Sequence, residues 1–260
     1  MARVPVSVTI ITLNEEKNLA RALNSVSWAE EILVVDSGST DSTVETARRM
    51  GARVLSNPWF GYGKQKNFAQ ANAANDWVLN IDADEELSPA LSSEIRQALE
   101  NAGNPGSGVA GYRFPRKTFY LGRWILHGGW YPNRLVRLVN RRHASWTEPG
   151  VHEELVVNGG VEDLRGDLNH YTFGSIQDQV LTNLNFARLG SQELRRQGQG
   201  PGIAKLLYKP VGKFIETYII KCGFLDGLAG LIISVNAAHS MFLKYAFLFE
   251  SDTGNAHPDN

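Results

Sequence analysis

One cysteine, Cys222, is all that the 260 residues contain. No internal disulfide can therefore staple the fold, which fits a reducing compartment and leaves stability to a buried core. The chain also lacks a dominant charge. Lys and Arg number 26 against 27 Asp and Glu, for a formal net of −1, so no global field argues for nucleic acid or for an acidic partner. A long uncharged apolar run is missing too. The longest stretch, between Asp226 and Lys244, carries Asn236, His239, Ser240 and two glycines, a poor match to a usual span of ~20 apolar residues. The amino terminus has one arginine and an apolar run of strand length that breaks at Asn14, with no small-residue cleavage site. It reads as a strand rather than a signal peptide, and the expectation is a cytoplasmic chain. Three phosphate and metal signatures are also wanting. There is no Walker lysine loop, "GYGKQK" lacks the third glycine of a dinucleotide fingerprint, and a calcium loop opening at Asp82 would put Leu87 where glycine is needed.

What is present is a 43% hydrophobic chain, enough for one main domain with a small appendage. From Val4 to about Leu87, short β-branched runs alternate with helical patterns. The strands read as "VSVTIIT", "EILVVD", "ARVLS" and "WVLNID". Helices are expected around Glu16 to Val26, through "TDSTVETARRMG" and through "KQKNFAQANAA". Strands that are apolar at successive positions, such as Ile32 to Val35, are buried on both faces. The expected class is therefore α/β, a Rossmann-like, doubly wound, mostly parallel sheet. Gly108 to His170 carries short strand-like runs such as "RLVRLV" and should supply mixed or antiparallel edge strands. A helix capped by Ser175 should run to about Arg196, where Gln-Gly-Gln-Gly-Pro-Gly ends it. Beyond it, Ile203 to Glu250 is apolar with scattered lysines and reads as a helical appendage, either lying on a membrane or packing on the main domain.

In an open parallel sheet, ligands bind outside the carboxyl ends of the strands. Here the first strand ends in Asn14-Glu15, the second in Asp36 followed by "SGSTDS", and the fourth in Asp82-Ala83-Asp84. Two positions apart on an extended backbone, Asp82 and Asp84 project to one side and can share a divalent cation with phosphate oxygens. Asp36 can accept hydrogen bonds from a base or ribose, and Ser37, Gly38 and Ser39 make a small-residue turn that lets a ligand near the backbone. Lys64 and Lys66 can balance phosphate charge, with Asn67 as a neighbouring hydrogen-bonding group. Alternatively "DADEE" is a solvated turn before a helix starting at Ser88-Pro89, or belongs to a D-x-D phosphohydrolase.

In this order, "TIITLNEEKNL", "ILVVDSGSTDST", "GYGKQKNFA" and "WVLNIDADEEL" resemble the family 2 glycosyltransferases of GT-A fold. "RLVRLV", "VHEEL" and "YIIKCGFLDGLAG" look like the branch that includes the lipopolysaccharide-core β-1,4-glucosyltransferases. The resemblance implies inverting transfer of a sugar from a nucleotide diphosphate, usually a UDP-sugar, to an acceptor hydroxyl. It carries nucleotide binding to Thr12, Asn14, Glu15 and Asp36, and the D-x-D to Asp82 and Asp84, with Asp84 the direct ligand of Mg2+ or Mn2+. It implies residues 1–107 as the nucleotide-sugar half, 108–200 as the acceptor half and 201–260 as the helical region. Inversion in one step needs a base opposite the leaving group. The family draws this base from an acid late in the domain, and "VHEEL" offers Glu153, with Glu154 as runner-up and His152 to orient it or touch phosphate.

Between Tyr112 and Trp146, eight Arg and Lys residues occur without an acid, interleaved with aromatics. Trp130 and Tyr131 can cover sugar rings while Arg134 and Arg137 grip phosphate or carboxylate, which points to an anionic glycolipid or saccharide acceptor at the inner face of the cytoplasmic membrane. The alternative reading puts half of the aromatics in the core and pairs the arginines with acids elsewhere. A nucleic-acid partner is not expected, because no recognised module accompanies the basic residues. A polyprenyl phosphate, polysaccharide or protein acceptor, and a noncatalytic sugar-nucleotide-binding adaptor, stay open.

Overall fold

The computed structural model describes residues 3–102, 108–147 and 153–253. Strand β1 (Val4–Thr12) leads through α1 (Leu19–Ser25) to β2 (Ala29–Asp36), and α2 (Thr43–Arg49) leads to β3 (Arg53–Ser56). Helix α3 (Tyr62–Ala71) precedes β4 (Trp77–Asp82), a short β5 (Glu85–Leu87) and α4 (Pro89–Ala102). There follow β6 (Val109–Tyr120), β7 (Arg123–Ile125), β8 (Asn133–Asn140), β9 (Ala144–Trp146), β10 (Leu155–Val157), β11 (Gly160–Asp163) and β12 (Leu168–His170). The chain ends in α5 (Ile176–Arg196), α6 (Ile203–Phe214), a π-helical turn Ile215–Ile220, a 3-10 turn Gly223–Asp226 and α7 (Gly227–Thr253).

These elements form two compact units. The first comprises residues 1–117 and 133–171, the second 118–132 and 172–260. In the first, the sheet runs β3-β2-β1-β4-β8-β6-β12-β5. The β3, β2, β1 and β4 strands are mutually parallel, and β8 joins antiparallel to both β4 and β6, as the edge composition predicts. Alternation along the strands builds both faces. Val6, Val8 and Ile10 of β1 pack with Leu23, Leu91 and Ile95 from α1 and α4, while Ile11, Leu33 and Val35 meet Phe68 and Ala69 of α3. Helices therefore cover both sides of the sheet. Register then aligns its polar ends: Thr12 pairs with Asp36, and Ile11 with Asp82.

In the second unit, Thr118–Tyr120 at the end of β6 pair antiparallel with β7, and Tyr120 and Ile125 pack against Ala229 and Ile233 of α7. Helix α5 starts where its capping box predicts, with the Ser175 hydroxyl accepting from the Asp178 N–H at 3.1 Å. It packs on α7 through Leu194, Tyr245 and Leu248. Here α7 meets the 3-10 turn so closely that a Cβ on Gly230 would lie 1.8 Å from the Gly223 carbonyl oxygen.

Candidate active site

At the carboxyl ends of the parallel strands, the first unit holds a cavity of about 660 Å³, within the range of small-ligand sites. Ile11, Thr12, Leu13 and Glu15 line it from β1 and its loop, Trp59 and Tyr62 from the approach to α3, and Asp82, Ala83, Asp84 and His170 from the opposite side. Ala83 and Asp84 form a tight turn between β4 and β5 rather than an extended run, and both acids of the D-x-D still line the cavity.

The two acids have different partners. Asp82 is engaged by protein cations: Arg137 donates to its Oδ2 at 2.9 Å and the Lys66 Nζ stands 3.5 Å from Oδ1. Burial alone would push the Asp82 carboxyl up, but Arg137 and Lys66 outweigh it and hold the group well below the usual carboxylate range. Burial works against the Arg137 charge as well, and Asp82 and Glu85 reverse that and raise it further. Glu85, wholly buried, completes the assembly by accepting from Arg137 at 3.2 Å, from Arg116 at 3.3 Å and from the Asp82 backbone N–H at 2.8 Å. Asp84 instead faces His170, whose Nε2 is 3.2 Å from Oδ2 and whose buried Nδ1 has no hydrogen-bond partner. Strand pairing sets this geometry, since β12 runs antiparallel to β5 with His170 opposite Glu85. Glu15 adds a third carboxyl, raised first by burial and then by the charges of Asp84, Asp41 and Asp82.

Among the described residues, no group of three or more His, Cys, Asp or Glu side chains surrounds one point. The Asp84–His170 pair nevertheless fits a divalent cation at an acid-lined cavity: the carboxylate suits Mg2+ or Mn2+ when diphosphate oxygens supply the rest, and the imidazole beside it suits the transition metal Mn2+ over Mg2+.

The other expected residues fall into distinct places. Asp36 is buried, and its oxygens accept from Thr12 Oγ1, from the Gly38 and Ser39 N–H groups and from the Ser39 hydroxyl, so it locks its own turn. Asn14, at φ 57°, ties the first loop to the second by accepting from the Thr40 N–H and donating its own N–H to Ser39 Oγ, each at 2.8 Å. Lys64 and Lys66 separate, since residues two apart on a helix do not share a face. Lys64 is exposed, whereas Lys66 is buried with Nζ 3.0 Å from Glu153 Oε1 and 4.5 Å from the centre of the Trp146 ring. Asn67 holds β9, exchanging two 2.9 Å hydrogen bonds with the Trp146 backbone. Glu153 thus turns toward the buried lysine, and Glu154 is exposed. His152 lies outside the described residues.

The acceptor set divides. Arg137 sits beneath the acids rather than at an open surface, while Arg134 is exposed and pairs with Asp163 at 3.2 Å. Trp130 and Tyr131 belong to the second unit, where Trp130 stacks on Tyr120. The acid-free segment finds its counter-charges elsewhere in the chain: Arg113 meets Asp163, Lys117 meets Asp167 and Arg142 meets Asp76, each at 2.9 Å. The sequence reading missed His170, Glu85 and Trp59.

The model of glycosyl transferase family 2 matches residues 7–153, which include each of the cavity-lining residues named above except His170. The chain is a family 2 glycosyltransferase. This glycosyltransferase is 35% identical over 256 residues to an uncharacterised glycosyltransferase of Rickettsia typhi, covering 94% of this chain and 87% of that one. It is 30% identical over 264 residues to the lipopolysaccharide core biosynthesis glycosyltransferase LpsC of Rhizobium meliloti, covering 99% and 96%. A solved glucosyl-3-phosphoglycerate synthase from Mycobacterium tuberculosis, in complex with Mn2+, UDP and glucosyl-3-phosphoglycerate, aligns at 27% identity and TM-score 0.35 over 45% of this chain and 44% of that one. The sheet of this glycosyltransferase, parallel at its centre with antiparallel edge strands and helices on both faces, is the GT-A arrangement expected of the family.

Proposed function

We propose that the chain is an inverting transferase that moves a hexose from a UDP-sugar to a hydroxyl of a lipid-linked saccharide such as the lipopolysaccharide inner core. The observation that carries this reading is the cavity itself, of nucleotide-sugar size and lined by Glu15, Asp82, Asp84 and His170, with Lys66 behind its wall joining Asp82 to Glu153. Asp84 and His170 would hold Mg2+ or Mn2+, whose chemistry is to offset charge on the departing diphosphate. Lys66, paired with Asp82 and Glu153, faces the same charge. Arg137 and Glu85 fix the Asp82 carboxylate and leave it no freedom to swing. Trp59 and Tyr62, ring centres 4.7 Å apart at the cavity wall, offer apolar faces for a sugar ring.

Transfer then proceeds as one displacement. The acceptor oxygen bonds to the anomeric carbon as the bond from that carbon to the diphosphate oxygen breaks, and the acceptor proton passes to a Glu153 carboxylate oxygen. The saccharide acceptor is supported by the full-length similarity to the core-biosynthesis enzyme of Rhizobium meliloti. The sequence resemblance to the glucosyltransferase branch supports glucose or another hexose as the donor sugar. A lipid-linked acceptor calls for work at the inner face of the cytoplasmic membrane.

Calorimetric titration with UDP, with and without manganese, tests the donor site. Manganese-dependent binding by the native chain, with that dependence lost in both Asp84→Ala and His170→Ala, is the expected result. Absence of nucleotide binding in either condition would reject the transferase reading and favour D-x-D phosphate-ester hydrolysis.

A further inference from the structure

The second unit wears its apolar residues on the outside. On α6 and the π-helical turn after it, Ile203, Leu207, Val211, Ile215 and Ile219 are 68%, 65%, 60%, 45% and 53% exposed, and α6 buries none of its residues. Their spacing of four sets them along one side of the helix. Lys205, Lys209 and Lys213 repeat at the same interval two positions on, which turns them to the other side. From Ile203 to Cys222 the single acid is Glu216, and it is already paired with Lys213 at 3.0 Å and with Lys221 at 2.5 Å. A strongly amphipathic helix with a bare apolar side and a lysine side is built to lie in the plane of an anionic interface.

Helix α7 has the length and composition to cross a membrane. The stretch Gly223–Glu250 reaches a mean hydropathy of 1.3, and only 22% of its most apolar window is buried. Its side chains argue against crossing. Asn236 donates to Gln179 of α5 at 2.7 Å, and Ser240 donates to the Asn183 carbonyl of α5 at 3.2 Å. Arg195 of α5 donates to the Phe247 and Leu248 carbonyls near the far end of α7 at 2.9 and 3.0 Å. A spanning α7 would have to break these bonds or drag α5, with Asp178, Arg188, Glu193, Arg195 and Arg196, into hydrocarbon, where charges are costly.

We propose that α6 and the π-helical turn form a monotopic docking face for an anionic phospholipid bilayer, with the exposed Leu207 and Val211 entering the lipid and α7 as its support rather than a span. The lysines give the charge complementarity that selects anionic lipid, and their long stems let the ammonium groups stay at headgroup level while the helix body sinks. This goes beyond the donor chemistry and does not depend on it.

Vesicle flotation of the full chain tests the docking. The native protein should float with vesicles of phosphatidylcholine and phosphatidylglycerol, float less at high salt, and stay largely in solution with phosphatidylcholine alone. Leu207→Glu with Val211→Glu should weaken binding at least about tenfold, since each removes an apolar side chain from the lipid phase. Lys205→Glu with Lys209→Glu should remove the preference for phosphatidylglycerol. Titration of UDP on the same variants should match the native protein, so that loss of flotation is separated from loss of fold or of the donor site. Three results would overturn the proposal: no flotation with either vesicle, retention by vesicles after alkaline carbonate washing, or a dimer in solution that the Leu207→Glu, Val211→Glu variant dissociates. The second would make α7 a span, and the third would make another copy the occupant.

Discussion

The two units handle apolar surface in opposite ways. The first hides its valines, leucines and isoleucines between sheet and helices and gathers its charge at the strand ends, where Glu85 and Arg137 are buried as a pair. In the second, large apolar side chains from Ile203 to Phe242 stand exposed along α6 and α7, and the buried apolar clusters among the described residues are small, around Tyr120 and Tyr245. The lesson is that burial alone does not divide the chain into inside and outside. One unit is finished against water, and the other carries a surface that water leaves unsatisfied.

Chemistry confined to the first unit places the largest expected effect on Glu153. Glu153→Gln should lower sugar transfer by at least ~100-fold while UDP affinity, read by calorimetry, stays native. Near-native transfer would move the base to Glu154 or elsewhere. Next in size is the buried charge network. Glu85→Gln leaves Arg137 and Arg116 facing a neutral amide, and chemical denaturation should show a loss of about 3–5 kcal/mol, the range for breaking a buried pair. A loss within experimental scatter would mean that water compensates the arginines. In the second unit, Gly230→Ala forces a methyl group against the Gly223 carbonyl and should cost about 1–3 kcal/mol by the same measurement.

The smallest effect concerns pH at the first unit's edge. Burial of Glu31 would raise its carboxyl, yet hydrogen bonds from the Ala74 N–H, the Ser7 hydroxyl and Arg53 lower it below the ordinary value. Because the folded state favours the ionised form, the stabilisation is present above the unfolded value of ~4.3 and is lost as pH falls through the lower folded value. Melting temperatures from neutral to acid pH should therefore converge for the native chain and Glu31→Gln at the acid end. Parallel curves would show that Glu31 acts by packing alone.

Strands β1, β2 and β4 were legible because a central strand is buried on both faces and reads as mostly apolar, as Ile32 to Val35 does, while edge strand β3 showed only its short β-branched run. Strands β5, β7, β9, β10 and β12 span three residues each, too short to display any period, and only tertiary pairing defines them. The acids at the strand ends were readable from topology, but His170 was not, since nothing local in "GDLNHYT" ties it to Asp84 far earlier in the chain. Arg137 carried no local signal either: it is the extra residue of a bulge in β8, where Tyr112 pairs with Leu138 and Arg113 with Val136, and its side chain lies beneath the acids while that of Arg134 is exposed.

Strand pairing between β5 and β12 also has a kinetic meaning. The Tyr171 N–H donates to the Asp84 carbonyl at 3.0 Å as the ladder ends, so Asp84 and His170 are brought together by main-chain bonds and not by the ligand they would hold. An incoming ion would meet donors assembled when the chain folded, with the ordering entropy already met. Rapid mixing with manganese and UDP should then give a single phase whose rate rises linearly with concentration, without the plateau that a slow rearrangement after encounter would impose.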